Sequence, residues 1–246
     1  MVVKVIAFDL DDTLFNATEL SWEARISGLK AMIEKGLKID LKEAIVILNE
    51  IVKEYGTNNS RHYNIFIRRI NRFEPQIEFI STSQKNTFVT AAVMAYHAQK
   101  IKMIKPFDDV IPSLEEIKEM DIKTAIISDG IPIKQYEKIL RLGIDDLIDL
   151  VIISDEIGVR KPNPKLFEYC LKKFGITGEE SIYIGDNPAK DLIPARMNGM
   201  YSVYIHRGGK YDNLTTGEKI LTEIRPDYDI NSLSEINEVI REINSK

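Results

Sequence analysis

The sequence predicts an α/β chain: a parallel sheet with helices on both faces, interrupted by an all-helical insert. Three observations predict it. The chain opens on a β-branched and apolar run, residues 2–8, that stops at a cluster of acids. From Lys123 onward, strand-like runs alternate with helical ones. Between 16 and 104 the apolar residues recur only at helical spacing. Repeated strand–helix units build parallel sheets, because each crossover helix returns the chain to start the next strand in the same direction.

The elements follow in order. The unbroken apolar run 2–8 suits a strand buried on both faces. In the insert, Leu29, Met32 and Ile33, then Ala44, Ile45, Leu48, Ile51 and Val52, mark two amphipathic helices. Ser21 and Asp40 stand where N-caps would serve, and Gly36 and Gly56 suit helix ends. Ile65, Phe66, Ile67 and Ile70 predict a third helix, and 85–102 a fourth. After Pro106 come a helix over 110–120, a strand over 123–127, a helix over 133–142 closed by Gly143, and a strand over 150–153. A helix over 165–174 closed by Gly175, a strand over 181–184, a helix over 192–198 closed by Gly199 and a strand over 201–205 continue the pattern. Residues 208–225 read as an irregular polar loop, and 233–243 as a last helix. The expected organisation is a Rossmann-like core, 1–15 and 105–246, with a helical domain, 16–104, inserted at the carboxyl end of the first strand. Ligands of such sheets bind at that edge.

Composition narrows the function. The chain has 246 residues, 44% of them hydrophobic and 29% charged, as in a globular protein. Its 33 Lys and Arg against 38 Asp and Glu leave a net charge of −5, which argues against nucleic acid as the main partner. The single cysteine, Cys170, allows no internal disulfide and no thiolate metal cage, which points to a reducing compartment, the cytoplasm. The N-terminal run lacks the basic flank and cleavage site of a signal peptide, and no stretch approaches the roughly 18 apolar residues that span a bilayer.

Three strand ends carry the chemistry. Asp9, Asp11 and Thr13 follow the first, Ser128 and Asp129 the second, Gly185 and Asp186 the fourth. A parallel sheet sets Asp9 and Asp186 side by side, where two carboxylates repel unless one is protonated or a cation lies between them. The available donors are oxygens, which favours a hard cation, Mg²⁺ in particular if a phosphate adds further oxygens. Helix N-termini after the strand ends offer N–H groups to an anion. Lys161, held between Arg160 and two prolines, is a candidate charge for the same anion. Taken alone, Asp9 reads as a cap, Ser128 to Gly130 and Gly185 to Pro188 as turns, and Lys161 as a solvated charge. Their order and placement together make the site.

That set resembles the haloacid dehalogenase superfamily: Asp9, Asp11 and Thr13, then Ser128, then Lys161 before a proline, then Gly185, Asp186 and Asp191. With its helical insert it is similar to the phosphoglycolate phosphatase-like and phosphoglucomutase-like branch, whose insert is a cap domain. It also looks like archaeal phosphatases of this branch that act on glyceraldehyde 3-phosphate. The resemblance implies Asp9 as nucleophile and Asp11 as general acid and base, with Asp11 giving the metal its backbone carbonyl. It implies Asp186 as the second carboxylate ligand of Mg²⁺, and Asp191 as the support of Asp186 or of a metal-bound water. Thr13 and Ser128 would hold Asp9 and the phosphate, Asp129 would offer its backbone N–H, and Lys161 would neutralise Asp9 and the transferring oxygens. The second Asp separates phosphoryl transfer from dehalogenation, where the leaving halide needs no proton.

The expected activity is hydrolysis of a small phosphorylated metabolite, such as a triose phosphate, phosphoglycolate or a sugar phosphate, through an aspartyl-phosphate. The alternatives are a phosphomutase of the β-phosphoglucomutase type and a non-catalytic phosphate-binding protein. No nucleic-acid or membrane partner is expected, and the chain is expected as a monomer or homodimer. Asp12 reads as turn, Cys170 as buried and inert, Trp22 as packing. Arg68, Arg69 and Arg72 read as a solvated face, and His62, His97 and His206 as structural.

Overall fold

The computed structural model describes residues 2–57, 59–74, 78–209, 212 and 225–246. The chain divides into two compact units: Met1–Ala17 with Ile104–Lys246, and Thr18–Met103.

The first unit is built on six parallel strands: β1 (Val5–Phe8), β2 (Lys123–Ser128), β3 (Leu150–Ile153), β4 (Ser181–Gly185), β5 (Tyr201–Ile205) and β6 (Tyr228–Ile230), in the order β3-β2-β1-β4-β5-β6. All five pairings are parallel. β1 lies between β2 and β4, with Phe8 opposite Ile126 on one side and Ile184 on the other. The strand order reverses direction around β1, so the crevice for a ligand opens at its carboxyl end.

Both faces of the sheet are covered. Ala7, Ala125, Ile127 and Ile152 pack with Leu166, Phe167 and Cys170 of the helix Lys165–Phe174 on one face. Ile6, Phe8, Ile126 and Ile182, which point the other way, are equally inaccessible. The helices of this unit are α5 (Val110–Glu119), α6 (Pro132–Leu142), the short α7 (Ser154–Ile157), α8 (Lys165–Phe174), α9 (Ile193–Met197) and α10 (Ile236–Ser245). Gly143 and Gly175 end α6 and α8 in the left-handed region, φ 66° and 67°, each donating its N–H back to the last turn.

The second unit is helical throughout: α1 (Ala17–Glu34), α2 (Leu41–Tyr55), α3 (His62–Phe73) and α4 (Thr82–Met103). Leu29, Met32, Leu48, Ile51, Phe66 and Ile70 form the centre of its own core. Asp40 caps α2, its carboxylate accepting from Lys42 N at 2.8 Å and Glu43 N at 3.2 Å. Gly28 of α1 has no room for a side chain, since a Cβ there would collide with the ring of Tyr63.

Four details depart from the sequence reading. Ser21 lies inside α1, not at its N-cap, because the helix already begins at Ala17. β1 begins at Val5; the backbone of Lys4 bonds to Glu180 O and Lys123 N outside the strand. A sixth strand, Tyr228–Ile230, escaped notice because three residues carry no period. The helix expected over 192–198 is α9, Ile193–Met197, and a π-turn that the sequence reading did not name, Pro188–Leu192, precedes it. Most of the expected loop 208–225 lies outside the described residues.

Candidate active site

β1 delivers Asp9 to the carboxyl edge of the sheet, where its N–H donates to Ile184 O of β4 at 2.9 Å. Asp186 follows β4 directly. One carboxylate oxygen each from Asp9, Asp186 and Asp191 falls within 4.8 Å of the others. Asp191 reaches the group from the π-turn, packed over the α-carbon of Gly185. A Cβ at residue 185 would lie 2.6 Å from Asp191 Cγ, so only glycine lets the two meet.

Lys161 fills the centre. Its ammonium lies 2.6 Å from Asp9 Oδ1, 2.8 Å from Asp191 Oδ1 and 2.7 Å from Tyr183 Oη. The side chain is 3% exposed. Burial would drive off its proton, but the charges of Asp191 and Asp9 outweigh that and hold it firmly charged. Tyr183 takes one Lys161 N–H and donates its own hydroxyl to Asp191 at 3.1 Å. Burial, then the neighbouring Asp191 and Asp9, keep that phenol protonated. Asp191 spends its second oxygen on the N–H of Asn187 at 3.1 Å. Its bonds therefore fix Lys161 and the loop after β4 that carries Asp186.

Lys161 pairs with Asp9 and Asp191 of this three-carboxylate group, and one ammonium does not offset the group's negative charge. The consequence falls on the proton affinities of Asp9 and Asp186. Burial first, then the nearby Asp191 and Asp11, raise Asp9 to about 7 even though Lys161 pulls it down. Burial, then Asp9 and Asp191, raise Asp186 to about 9. An all-oxygen cluster with that deficit fits a hard divalent cation, which would remove the repulsion.

Around this centre stand the other residues that the sequence singled out. Ser128 is buried, and its Oγ accepts from Gln135 Nε2 at 2.6 Å, which leaves its own proton free to point elsewhere. Gln135 also donates to Asp129 O at 2.8 Å. The Asp129 carboxylate accepts from Lys161 N at 3.0 Å, tying the loop after β2 to the loop that carries Lys161. The Lys161–Pro162 peptide in that loop is cis. Thr13 is buried and its Oγ1 has no hydrogen-bond partner among the described residues, while its carbonyl accepts from Arg207 Nε at 3.1 Å. Arg207 in turn pairs with Asp109 at 2.7 Å and stacks over Phe107. This anchors the loop after β1 from behind.

Asp11 stands apart from the three-carboxylate group. Both of its oxygens lie 2.7 Å from Lys138 Nζ of α6. Asp12, at φ 62°, makes the turn that follows, donating to Phe15 O at 2.9 Å.

Sequence reasoning missed Tyr183, Gln135, Lys138 and Arg207. A faint signal existed for two of them: Gln135 and Lys138 are three apart on α6, so they share the face turned to the loops after β1 and β2. Of the residues set aside, Cys170 is buried, and burial raises its thiol to about 12. His62 bonds to Gly56 O at 2.9 Å, and Arg69 pairs with Glu50 and Glu54. His206 lies between Asp212 and Asp229.

Residues 3–199 match the family model of the haloacid dehalogenase-like hydrolases. The chain belongs to that family. It is 41% identical to a glyceraldehyde 3-phosphate phosphatase of Methanopyrus kandleri, over 98% of this chain and 99% of that one. It is 38% identical to the glyceraldehyde 3-phosphate phosphatase of Methanocaldococcus jannaschii, with the same coverage. A solved structure, a HAD phosphatase from Thermococcus onnurineus, shares the fold at a TM-score of 0.61 and 23% identity, over 97% of this chain and 98% of that one. This haloacid dehalogenase-like hydrolase is therefore an enzyme, and a phosphatase. No helix among the described residues is long and apolar enough to cross a membrane.

Proposed function

We propose that the enzyme is a Mg²⁺-dependent phosphatase that hydrolyses a small phosphorylated metabolite through an aspartyl-phosphate on Asp9. The observation that carries this reading is the salt-bridged Asp9–Lys161 pair inside a three-carboxylate cluster. Within the class of triose phosphates, phosphoglycolate and sugar phosphates, glyceraldehyde 3-phosphate has the strongest support, from the relatives at 38 to 41% identity. Those relatives also favour water over a second substrate hydroxyl as final acceptor, and so a phosphatase over a mutase.

The chemistry follows from the residues. Lys161 holds the Asp9 carboxylate in one orientation and pulls it toward the ionised form that attacks. An Asp9 oxygen bonds to phosphorus as the bond from phosphorus to the leaving oxygen breaks, and that oxygen takes the proton of Asp11. Water then attacks phosphorus, gives its proton to Asp11, and the bond to Asp9 breaks to release phosphate. Ser128 donates its hydroxyl to the phosphoryl oxygens, as does the N–H of Asp129, and Thr13 Oγ1 is available to Asp9 or to the same oxygens. Asp9, Asp186 and the carbonyl of Asp11 would hold Mg²⁺, which supplies positive charge to the phosphoryl oxygens. The insert is read as the cap that selects the leaving group.

The test is phosphate release from glyceraldehyde 3-phosphate and from an aryl phosphate, without any added bisphosphate. Release is expected with Mg²⁺, and is expected to fall at least about 10³-fold with chelator or in Asp9→Asn. Activity that persisted through both treatments would overturn the mechanism.

A further inference from the structure

The two acids of the loop after β1 are expected to do different work, yet they are the same residue type two positions apart. Something must keep the Asp11 carboxylate away from a cation that Asp9 binds, or it too would become a ligand and lose its proton chemistry. Lys138 is placed to do this. Its ammonium engages both Asp11 oxygens at 2.7 Å, and it lies 5.8 Å from the centre of the Phe15 ring, so it is flanked by an aromatic on the same loop. The Asp11 carboxylate is outside the Asp9, Asp186 and Asp191 group. Gln135, one turn earlier on α6, anchors Ser128 in the same way. A single helix face therefore fixes one side chain on each of two loops of the site.

We propose that Lys138 is a positioning residue that parks the Asp11 carboxylate outside the metal's coordination sphere, so that Asp11 stays available as proton donor and acceptor. This rests on the assignment of Asp11 as general acid and base. The alternative is a surface ion pair that contributes little. Lys138 is about one-fifth exposed and Asp11 about one-third, so burial alone does not decide between the two.

Two measurements do. The first is kcat/KM for phosphate esters of graded leaving-group acidity, from nitrophenyl to alkyl; kcat/KM covers only the steps up to leaving-group departure. In Lys138→Met the loss is expected to grow steadily with leaving-group basicity, reaching about 10²-fold on the alkyl ester, with most of the loss restored in Lys138→Arg. Asp11→Asn is expected to show the same slope more strongly. The second is Mg²⁺ affinity by calorimetry. Lys138→Met is expected to bind Mg²⁺ several-fold tighter, because the freed carboxylate joins the ligands, and this gain is expected to vanish in the Asp11→Asn background. An equal loss across all esters, or a gain in affinity that persists without Asp11, would overturn the proposal. A flat profile in Asp11→Asn itself would instead remove the acid–base assignment on which it rests.

Discussion

Lys161 is where the residue scale of this enzyme is decided. An ammonium taken out of water survives only among carboxylates and further acceptors, and Asp9, Asp191 and Tyr183 supply them within 2.8 Å. Each of those partners is fixed in its turn, Asp191 by Asn187 N and by its seat on Gly185. Two substitutions test the chain of support. Tyr183→Phe removes one acceptor from the ammonium and one donor to Asp191, and is expected to lower kcat about tenfold with KM little changed, since a positioned charge matters most in the transition state. Gly185→Ala forces Asp191 off its seat and is expected to destabilise the fold by about 1–3 kcal/mol in denaturant melts. A Gly185→Ala protein as stable as its parent would show that Asp191 has more freedom than its contacts indicate. Gly185 could be read from the sequence as a turn glycine; that it makes room for Asp191 could not, because the two meet only after the π-turn folds back.

At the scale of elements, the signals that the sequence carried were local ones. The helix over 165–174 ends at Gly175 as its apolar period and its glycine predict, and Asp40 caps α2 through two short bonds. Asp40→Ala is expected to cost about 1 kcal/mol of stability, measured as a shift in the urea midpoint at constant slope. A shift confined to the slope would point to the unfolded state instead. Ser21 misled because a hydroxyl inside a helix has the same sequence appearance as one at its start. β6 was invisible for a different reason: a three-residue edge strand is defined by its neighbour β5, and Asp227, which accepts from Ser202 N and Oγ at 2.8 Å, contributes to that alignment. Lys138 and Gln135 were legible only as two polar residues on one helix face. Gln135 meets Ser128 across the short turn after β2, whereas Asp11, the target of Lys138, is 127 residues away and comes close through sheet register.

The whole molecule carries a net charge of −5, and part of that surplus is gathered at one sheet edge. Asp9 and Asp186 titrate at about 7 and about 9, both above their ordinary 3.8. The chelated native protein thus keeps protons that the unfolded chain gives up near pH 4. That contribution to stability is complete below about pH 4 and is lost as pH rises through about 7 and about 9. A cation that displaces those protons binds more tightly as pH rises. The gain in Tm on adding Mg²⁺ to chelated protein is expected to be larger at pH 9 than at pH 6. A gain that shrank with pH would mean that the cluster is not where the ion binds.

Sequence alone determined the α/β class, the parallel sheet and the helical character of the insert, because strand runs, helix periods and caps are set within a few residues by backbone and side-chain preferences. It also placed Asp9, Ser128 and Asp186 at strand ends, since parallel strands put all such ends on one edge. Only the tertiary structure decided which groups each acid meets: Asp191 against Lys161, and Asp11 against Lys138. Those pairings depend on sheet register and on the π-turn after β4, which bring together side chains too far apart in the chain for any local pattern to record.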